Sequence, residues 1–181
     1  LEQGIRQGLA TLEEKTGRQF GGGRPLLLSV RSGAVVSMPG MMDTILNLGF
    51  NPHTVEALAG ETSNRKFALD CYRRFIQMFA EVVLKVEHHW FESILDEARD
   101  RQKVSLDSEL NEHSYQWVVE RYLALVRQKT GHDFPIDPVE QLLLAVQAVF
   151  ESWNTPRAKV YRQVNRIPDD LGTAVNIQSM V

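Results

Sequence analysis

The stretch from Pro25 to Gly49 constrains this chain more than any other. An apolar run, Pro25 to Val30, stops abruptly at Arg31 and gives way to small, pliable residues: Ser32-Gly33-Ala34, then Ser37-Met38-Pro39-Gly40-Met41-Met42. The run reads as a strand ending in a cation. Thr44-Ile45-Leu46-Asn47-Leu48 then reads as a helix that closes at Gly49, with Asp43 as its N-cap. Arginine offers a planar fork of donors to phosphate oxygens, and glycines let backbone N–H groups approach an anion closely. A strand-end arginine before a Ser/Gly loop therefore suits an anionic ligand such as a nucleoside triphosphate. The same residues also describe a surface turn between a strand and a helix, and residue chemistry alone leaves both readings open.

The remaining pattern is mostly helical. Ile5, Leu9 and Leu12 recur at helical spacing before a stop at Gly17, and Gly21-Gly22-Gly23-Arg24-Pro25 forms a turn into the strand. Asn51-Pro52 opens a short helix ending near Gly60. Ser63 or Asn64 caps a longer one, with Phe67, Cys71, Phe75, Met78, Phe79 and Val82 on one face. Trp90, Phe91, Ile94, Leu95 and Ala98 mark the next helix. Tyr115, Val118, Tyr122, Leu125 and Val126 mark another, stopped by Gly131. Asp137-Pro138-Val139-Glu140 is a strong start signal for a helix whose stripe runs through Leu142, Val146, Val149 and Trp153. Pro156 opens a shorter helix, with Lys159, Arg162 and Arg166 as a solvated basic face and Val160 and Val164 on another. The end alternates, Ala174, Ile177 and Val181 against Asn176, Gln178 and Met180, as a strand does. The fold class is α+β, predominantly helical. A helical block, 52–153, lies between sheet-forming segments 1–51 and 154–181.

Composition narrows the function. With 181 residues, 43% of them hydrophobic, the chain can bury a real core as one domain with an insertion. A net charge of −3 gives no reason to expect nucleic acid or an anionic membrane as partner. No apolar run approaches the ~20 residues of a spanning helix. The first residues lack a signal-peptide core and an initiator methionine, which reads as an excerpt or a processed product. The single Cys71 fits a reducing, cytoplasmic compartment, and its apolar face predicts a buried, inert thiol. His88-His89, near Glu87 and Glu92, point in different directions on a helix and supply no zinc-like ligand set, so no metal site is assigned. Of Arg73 and Arg74, adjacent on a helix, only one can face the apolar side, and a structural salt bridge is the simplest role for it. No Ser/His/Asp or Cys/His set is evident, and no catalytic residue is assigned in this chain.

Four blocks carry a resemblance. They are Val30-Arg31-Ser32-Gly33-Ala34 with Ser37 to Gly49, Tyr72 to Met78, Phe150 to Ala158, and Gly172 to Val181. In this order they resemble the N-terminal nucleotide-binding domain of the pyruvate, phosphate dikinase family, over most of the chain. The resemblance implies an ATP-grasp-like domain with an inserted helical subdomain. Arg31 would contact the nucleotide's phosphates, beneath a mobile loop from Gly33 to Met42 that includes Ser37 and Gly40. Met41 would pack in the core and Met42 would reach the nucleotide. Gln178 would back the adenine pocket, where backbone groups of Met180 and Val181 bond the purine. The implied reaction converts ATP, phosphate and pyruvate to AMP, pyrophosphate and phosphoenolpyruvate through a phosphohistidine on a separate swivelling domain, in a homo-oligomeric full-length enzyme. ATP and Mg²⁺ are the implied ligands, with the metal's ligands outside this chain. A related dikinase such as phosphoenolpyruvate synthase, or a non-catalytic helical binding module, are the alternatives; the Ser37–Thr44 block favours the first family.

Overall fold

The structure, a computed structural model, describes residues 1–180. Seven α-helices and three strands follow the order α1 (Glu2–Thr16), β1 (Leu28–Ser32), β2 (Thr44–Leu48), α2 (Pro52–Thr62), α3 (Arg65–Val82), α4 (His88–Gln102), α5 (Glu112–Thr130), α6 (Pro138–Ser152), α7 (Pro156–Asn165) and β3 (Val175–Ser179). Most helix starts follow from side-chain caps. The Asn51 side chain accepts from the Thr54 N–H at 2.9 Å while the Thr54 hydroxyl accepts from the Asn51 N–H at 2.8 Å, ahead of Pro52. Asp137 accepts from the Val139 and Glu140 N–H groups at 2.8 and 2.9 Å. Each such cap stabilises its helix by about 1 kcal/mol.

The strands form one antiparallel sheet in the order β2-β1-β3. One face is apolar and covered. Leu28, Val30, Ile45 and Leu48 are fully buried, α6 lies across all three strands, and α3 packs on β2. Behind them, α3 packs on α2 and α5, and α5 on α4. Phe50, Tyr72, Phe75, Phe79 and Phe134 tie the sheet to this helical layer, with ring centroids 5.3–6.1 Å apart. The buried core runs without a break from the strands into α3–α6.

Thr44–Leu48 is a strand, not the helix that its spacing predicts. Leu28 pairs with Leu48 and Val30 with Ile45, so β2 carries one more residue than β1 over this span. Asn47 takes the left-handed conformation, φ 60°, inside that bulge. The bulge turns Ile45 and Leu48 to the same side, reproducing the i, i+3 spacing of a helical face. Without a helix there, Asp43 caps nothing; its N–H donates to the Ser152 hydroxyl at 3.2 Å and its carboxylate pairs with Arg157. Gly49 follows with φ 106°, and a Cβ there would come within 2.8 Å of the Phe20 ring and 2.9 Å of the Leu26 carbonyl oxygen. The fully buried Gln141 completes this corner. Its side-chain oxygen accepts from the Gly49 N–H at 3.2 Å, and its amide donates to the carbonyls of Phe50 and Pro135 at 2.9 and 2.8 Å.

The basic face of α7 is also corrected. Arg162 is 1% exposed, donates to Asp169 at 2.7 Å and to the Trp153 carbonyl at 2.5 Å, and stacks on the Trp153 ring. Lys159 and Arg166 are exposed as expected, and so are Val160 and Val164, so only Arg162 leaves the basic face. Ala158 and Arg162, four residues apart, form the inward side, because Asp169 in the following turn supplies a countercharge to the buried guanidinium. Phe67 too departs from its expected stripe and is exposed. On α3, Arg73 is buried between Asp70 and Asp107, whereas Arg74 is exposed and shares Asp70. Cys71 is half-buried, and burial raises its thiol pKa, which keeps it protonated at neutral pH. Among the described residues no helix is long and apolar enough to cross a membrane.

Candidate functional site

The sheet's second face is polar and open. Directly paired residues in antiparallel strands project to the same side. Arg31 pairs with Thr44 on β2 and with Asn176 on β3, and Ser29 pairs with Gln178. Arg31, Thr44, Asn176 and Gln178 therefore share this face, and all four are exposed. Among the described residues Arg31 enters no ion pair, so its guanidinium is free to meet an anion. Met180 continues the row. Its N–H donates to the Leu27 carbonyl at 2.9 Å, and its thioether reaches across β1 to accept from the Asn47 N–H at 3.2 Å.

The connection from β1 to β2 folds over one end of this face. It encloses a cleft of about 220 Å³ lined by Arg31, Ser37, Met38, Gly40, Met42 and Thr44, among others. Of the methionines, Met38 is the buried one, 7% exposed, whereas Met41, expected in the core, is only half-buried. Met42 lines the cleft, and its sulfur lies 3.7 Å from the Ser152 hydroxyl. Gly40, at φ 72°, forms the turn in which the Met41 N–H donates to the Met38 carbonyl at 3.1 Å. Val35, at the tip, is 86% exposed.

Both roots of the loop are held by residues distant in sequence. At the first, the Gly33 N–H donates to the Ala174 carbonyl and the Ser32 and Thr173 hydroxyls are hydrogen-bonded, both at 2.8 Å. A Cβ at Gly33 would sit 3.0 Å from the Asn176 amide, so glycine permits this close strand approach. At the second root, Arg157 donates to the Met41 carbonyl at 3.1 Å and pairs with Asp43.

The structure thus brings Arg31, Ser37, Gly40 and Met42 around one cleft. Gln178 and Met180 stand on the same sheet face outside it, Gly33 serves the loop's root, and Val181 lies outside the described residues. Sequence reasoning assigned no role to Thr44, Asn176, Ser152 or Arg157. Asn176 had a usable signal, its two-residue spacing from Gln178. Thr44 was concealed by the helical reading of β2, and Ser152 and Arg157 reach the loop only through tertiary contact. Three of the four sequence blocks converge here: the first forms β1, the loop and β2, and the third and fourth hold the loop's roots; the second lies on α3 beside β2, where the Met78 sulfur accepts from the Leu46 N–H at 3.4 Å.

His88 is bound within a carboxylate cluster. Its Nδ1 lies 2.8 Å from Glu81 and its Nε2 3.6 Å from Glu92, and hydrogen bonding to Glu81 raises its pKa. Among the described residues, no group of three or more His, Cys, Asp or Glu side chains converges as a metal cage.

The sequence matches the family described as pyruvate phosphate dikinase, AMP/ATP-binding domain, along residues 1–181. It is 50% identical over 182 residues to a pyruvate, phosphate dikinase of Giardia intestinalis, an alignment covering all of this chain and 21% of that protein. The corresponding figures are 49% identity with 20% coverage for the Rhizobium meliloti (strain 1021) protein, and 49% with 19% for the chloroplastic protein of Mesembryanthemum crystallinum. The chain spans about a fifth of the length of these relatives. Matched from its first residue to its last, the chain belongs to the pyruvate phosphate dikinase AMP/ATP-binding domain family.

Proposed function

We propose that this chain is the ATP-binding portion of a phosphotransferase that converts ATP, phosphate and pyruvate to AMP, pyrophosphate and phosphoenolpyruvate. The observation that carries the reading is Arg31, without an ion-pair partner among the described residues, lining a cleft whose other wall is a Gly/Ser/Met loop rooted at both ends. Phosphoryl transfer depends on positioning and charge neutralisation more than on covalent help from the protein. In this reading Arg31 neutralises phosphate oxygens, Ser37 and the backbone near Gly40 donate to them, and the loop excludes water. Gln178 and Met180 extend the binding face toward the adenine, together with Val181. Segments 1–51 and 154–181 then form the nucleotide-binding unit, and 52–153 the inserted helical subdomain that supports it.

ATP fits the donor set of the cleft. Mg²⁺ does not find a cage here: Asp43, the carboxylate bordering the loop, is engaged by Arg157. A metal bridging the phosphates would be held by residues elsewhere in the full-length protein, and no step is assigned to it. The phosphoryl acceptor is a histidine on a separate, mobile domain of the same protein, which we place in the cytoplasm as a homo-oligomer. The test separates the half-reactions of the full-length enzyme. Arg31→Ala slows ATP-dependent phosphorylation of that histidine by about a hundredfold or more, as loss of a charge-stabilising donor does. Phosphorylation of the same histidine by phosphoenolpyruvate stays at the wild-type rate. An unaltered ATP half-reaction in Arg31→Ala would overturn the assignment.

A further inference from the structure

We propose that Arg157 is a positioning residue, a latch that fixes the second root of the cleft loop to the start of α7. The inference rests on the nucleotide reading for its consequence, although not for its geometry. A connection as long as Gly33 to Asp43, with no regular structure of its own, is held in place by the buried Met38 at its middle and by what its ends contact. The first root belongs to the sheet through Ala174 and Thr173. The second has no strand partner at Met41 or Met42, since β2 begins at Thr44. Arg157 supplies the missing contacts with two different donors, Nε to the Met41 carbonyl and Nη2 to the Asp43 carboxylate. The Ser152 hydroxyl completes the arrangement by accepting from the Asp43 N–H.

Two physical features mark this as more than a surface ion pair. The Asp43 side chain is only 13% exposed, against 52% for Arg157, so solvent screens the pair less than it screens two fully exposed partners. In addition, Arg157 stands in the first turn of α7, just after Thr155 and Pro156, where a cation opposes the helix dipole. The Asp43 carboxylate offsets that unfavourable placement from across the loop. The latch therefore ties the backbone beside Met42 to a helix that otherwise has no contact with the cleft's interior. Arg31 sits on the opposite wall, on the rigid sheet. The latch thereby sets the distance between the two walls, which is the quantity that a triphosphate must match.

Two amides report on this directly, those of Met41 and Asp43, because both are hydrogen-bonded within the latch region. Amide exchange is measured on the nucleotide-free 181-residue chain, with β1 amides as internal reference. Affinity for a non-hydrolysable ATP analogue with Mg²⁺ is then measured on the same samples. Arg157→Ala and Asp43→Asn each accelerate exchange at Met41 and Asp43 by about five- to tenfold, the range of a charge-assisted contact. The double variant is no faster than either single one, and β1 exchange is unchanged. Affinity falls by a similar factor, and Arg157→Lys, which keeps the charge but has one donor group, recovers part of both losses. Unchanged exchange at Met41 and Asp43 in both single variants overturns the latch. A uniform rise that includes β1 also overturns it, by marking Arg157 as a general stability residue. If the wild-type chain binds no analogue, the nucleotide reading fails, and the exchange measurements still decide the latch.

Discussion

Arg31 and Arg162 show how differently two arginines of one chain are used. Arg31 ends a strand on an open polar face, exposed and without an ion-pair partner among the described residues. Arg162 is sealed beneath Trp153, with Asp169 as countercharge and a backbone carbonyl for its remaining donors. Their sequence contexts pointed correctly for Arg31, because a cation directly after an apolar strand must emerge at the sheet's end. For Arg162 they misled, since Lys159, Arg162 and Arg166 make a regular basic stripe, and nothing local says that Asp169 folds back onto it. The two pictures of Arg162 differ in a measurable way. Removing an arginine from a solvated face changes stability by less than about 0.5 kcal/mol. Removing a buried one that stacks on Trp153 and bonds its carbonyl costs about 2 kcal/mol, through lost packing and an unsatisfied acceptor, although Asp169 itself stays in solvent. The structure predicts the larger value for Arg162→Ala in urea unfolding, and a change at the surface level would contradict it.

At the scale of elements, helices were legible wherever a cap and a stripe coincided. Asn51-Pro52, Asn64 and Asp137 all cap as their residue types predict. β2 was not legible, because a five-residue strand with a bulge presents the same apolar spacing as a helical turn. Its end at Gly49 is strained for any other residue. Gly49→Ala is expected to destabilise the fold by about 2–4 kcal/mol, through the positive φ and the clash with Phe20 and the Leu26 carbonyl. Asn47→Gly relieves φ 60° in the bulge and is expected to be neutral or mildly stabilising. Equal destabilisation by the two variants in thermal unfolding would argue against the bulged strand. The junction of α3 and α4 carries a pH dependence of definite sign. Glu81 and Glu92 hold the His88 pKa above its ordinary 6.5. Protonated His88 thus stabilises the junction below about pH 6.5, and that contribution is lost as pH rises through the higher folded value. His88 is exposed, so the effect is small; its ring signals in an NMR titration should move with a midpoint above 6.5, and one below it would contradict the Glu81 contact.

For the whole molecule, the organising fact is that three of the four separated sequence blocks meet at one sheet face and its loop, while the second packs beside them on β2. The blocks could be recognised from sequence because each keeps a distinctive run of residues. Their meeting could not, because it depends on α6 lying across the strands and on α7 returning beside the loop. The chain, about a fifth as long as its relatives, has a continuous core of its own on the sheet's covered face. In our reading the 181-residue chain binds nucleotide and does not form ATP from phosphoenolpyruvate, AMP and pyrophosphate. The central claim is that this fold holds the phosphate side of an ATP site around Arg31. It is tested most directly by an NMR titration of the chain with Mg²⁺ and a non-hydrolysable ATP analogue, beside Arg31→Ala. The account predicts saturable shifts confined to the region from Arg31 to Thr44 and to Asn176–Met180, and their loss in the variant. Shifts that persist unchanged in Arg31→Ala, or none at all at saturating ligand, would contradict it.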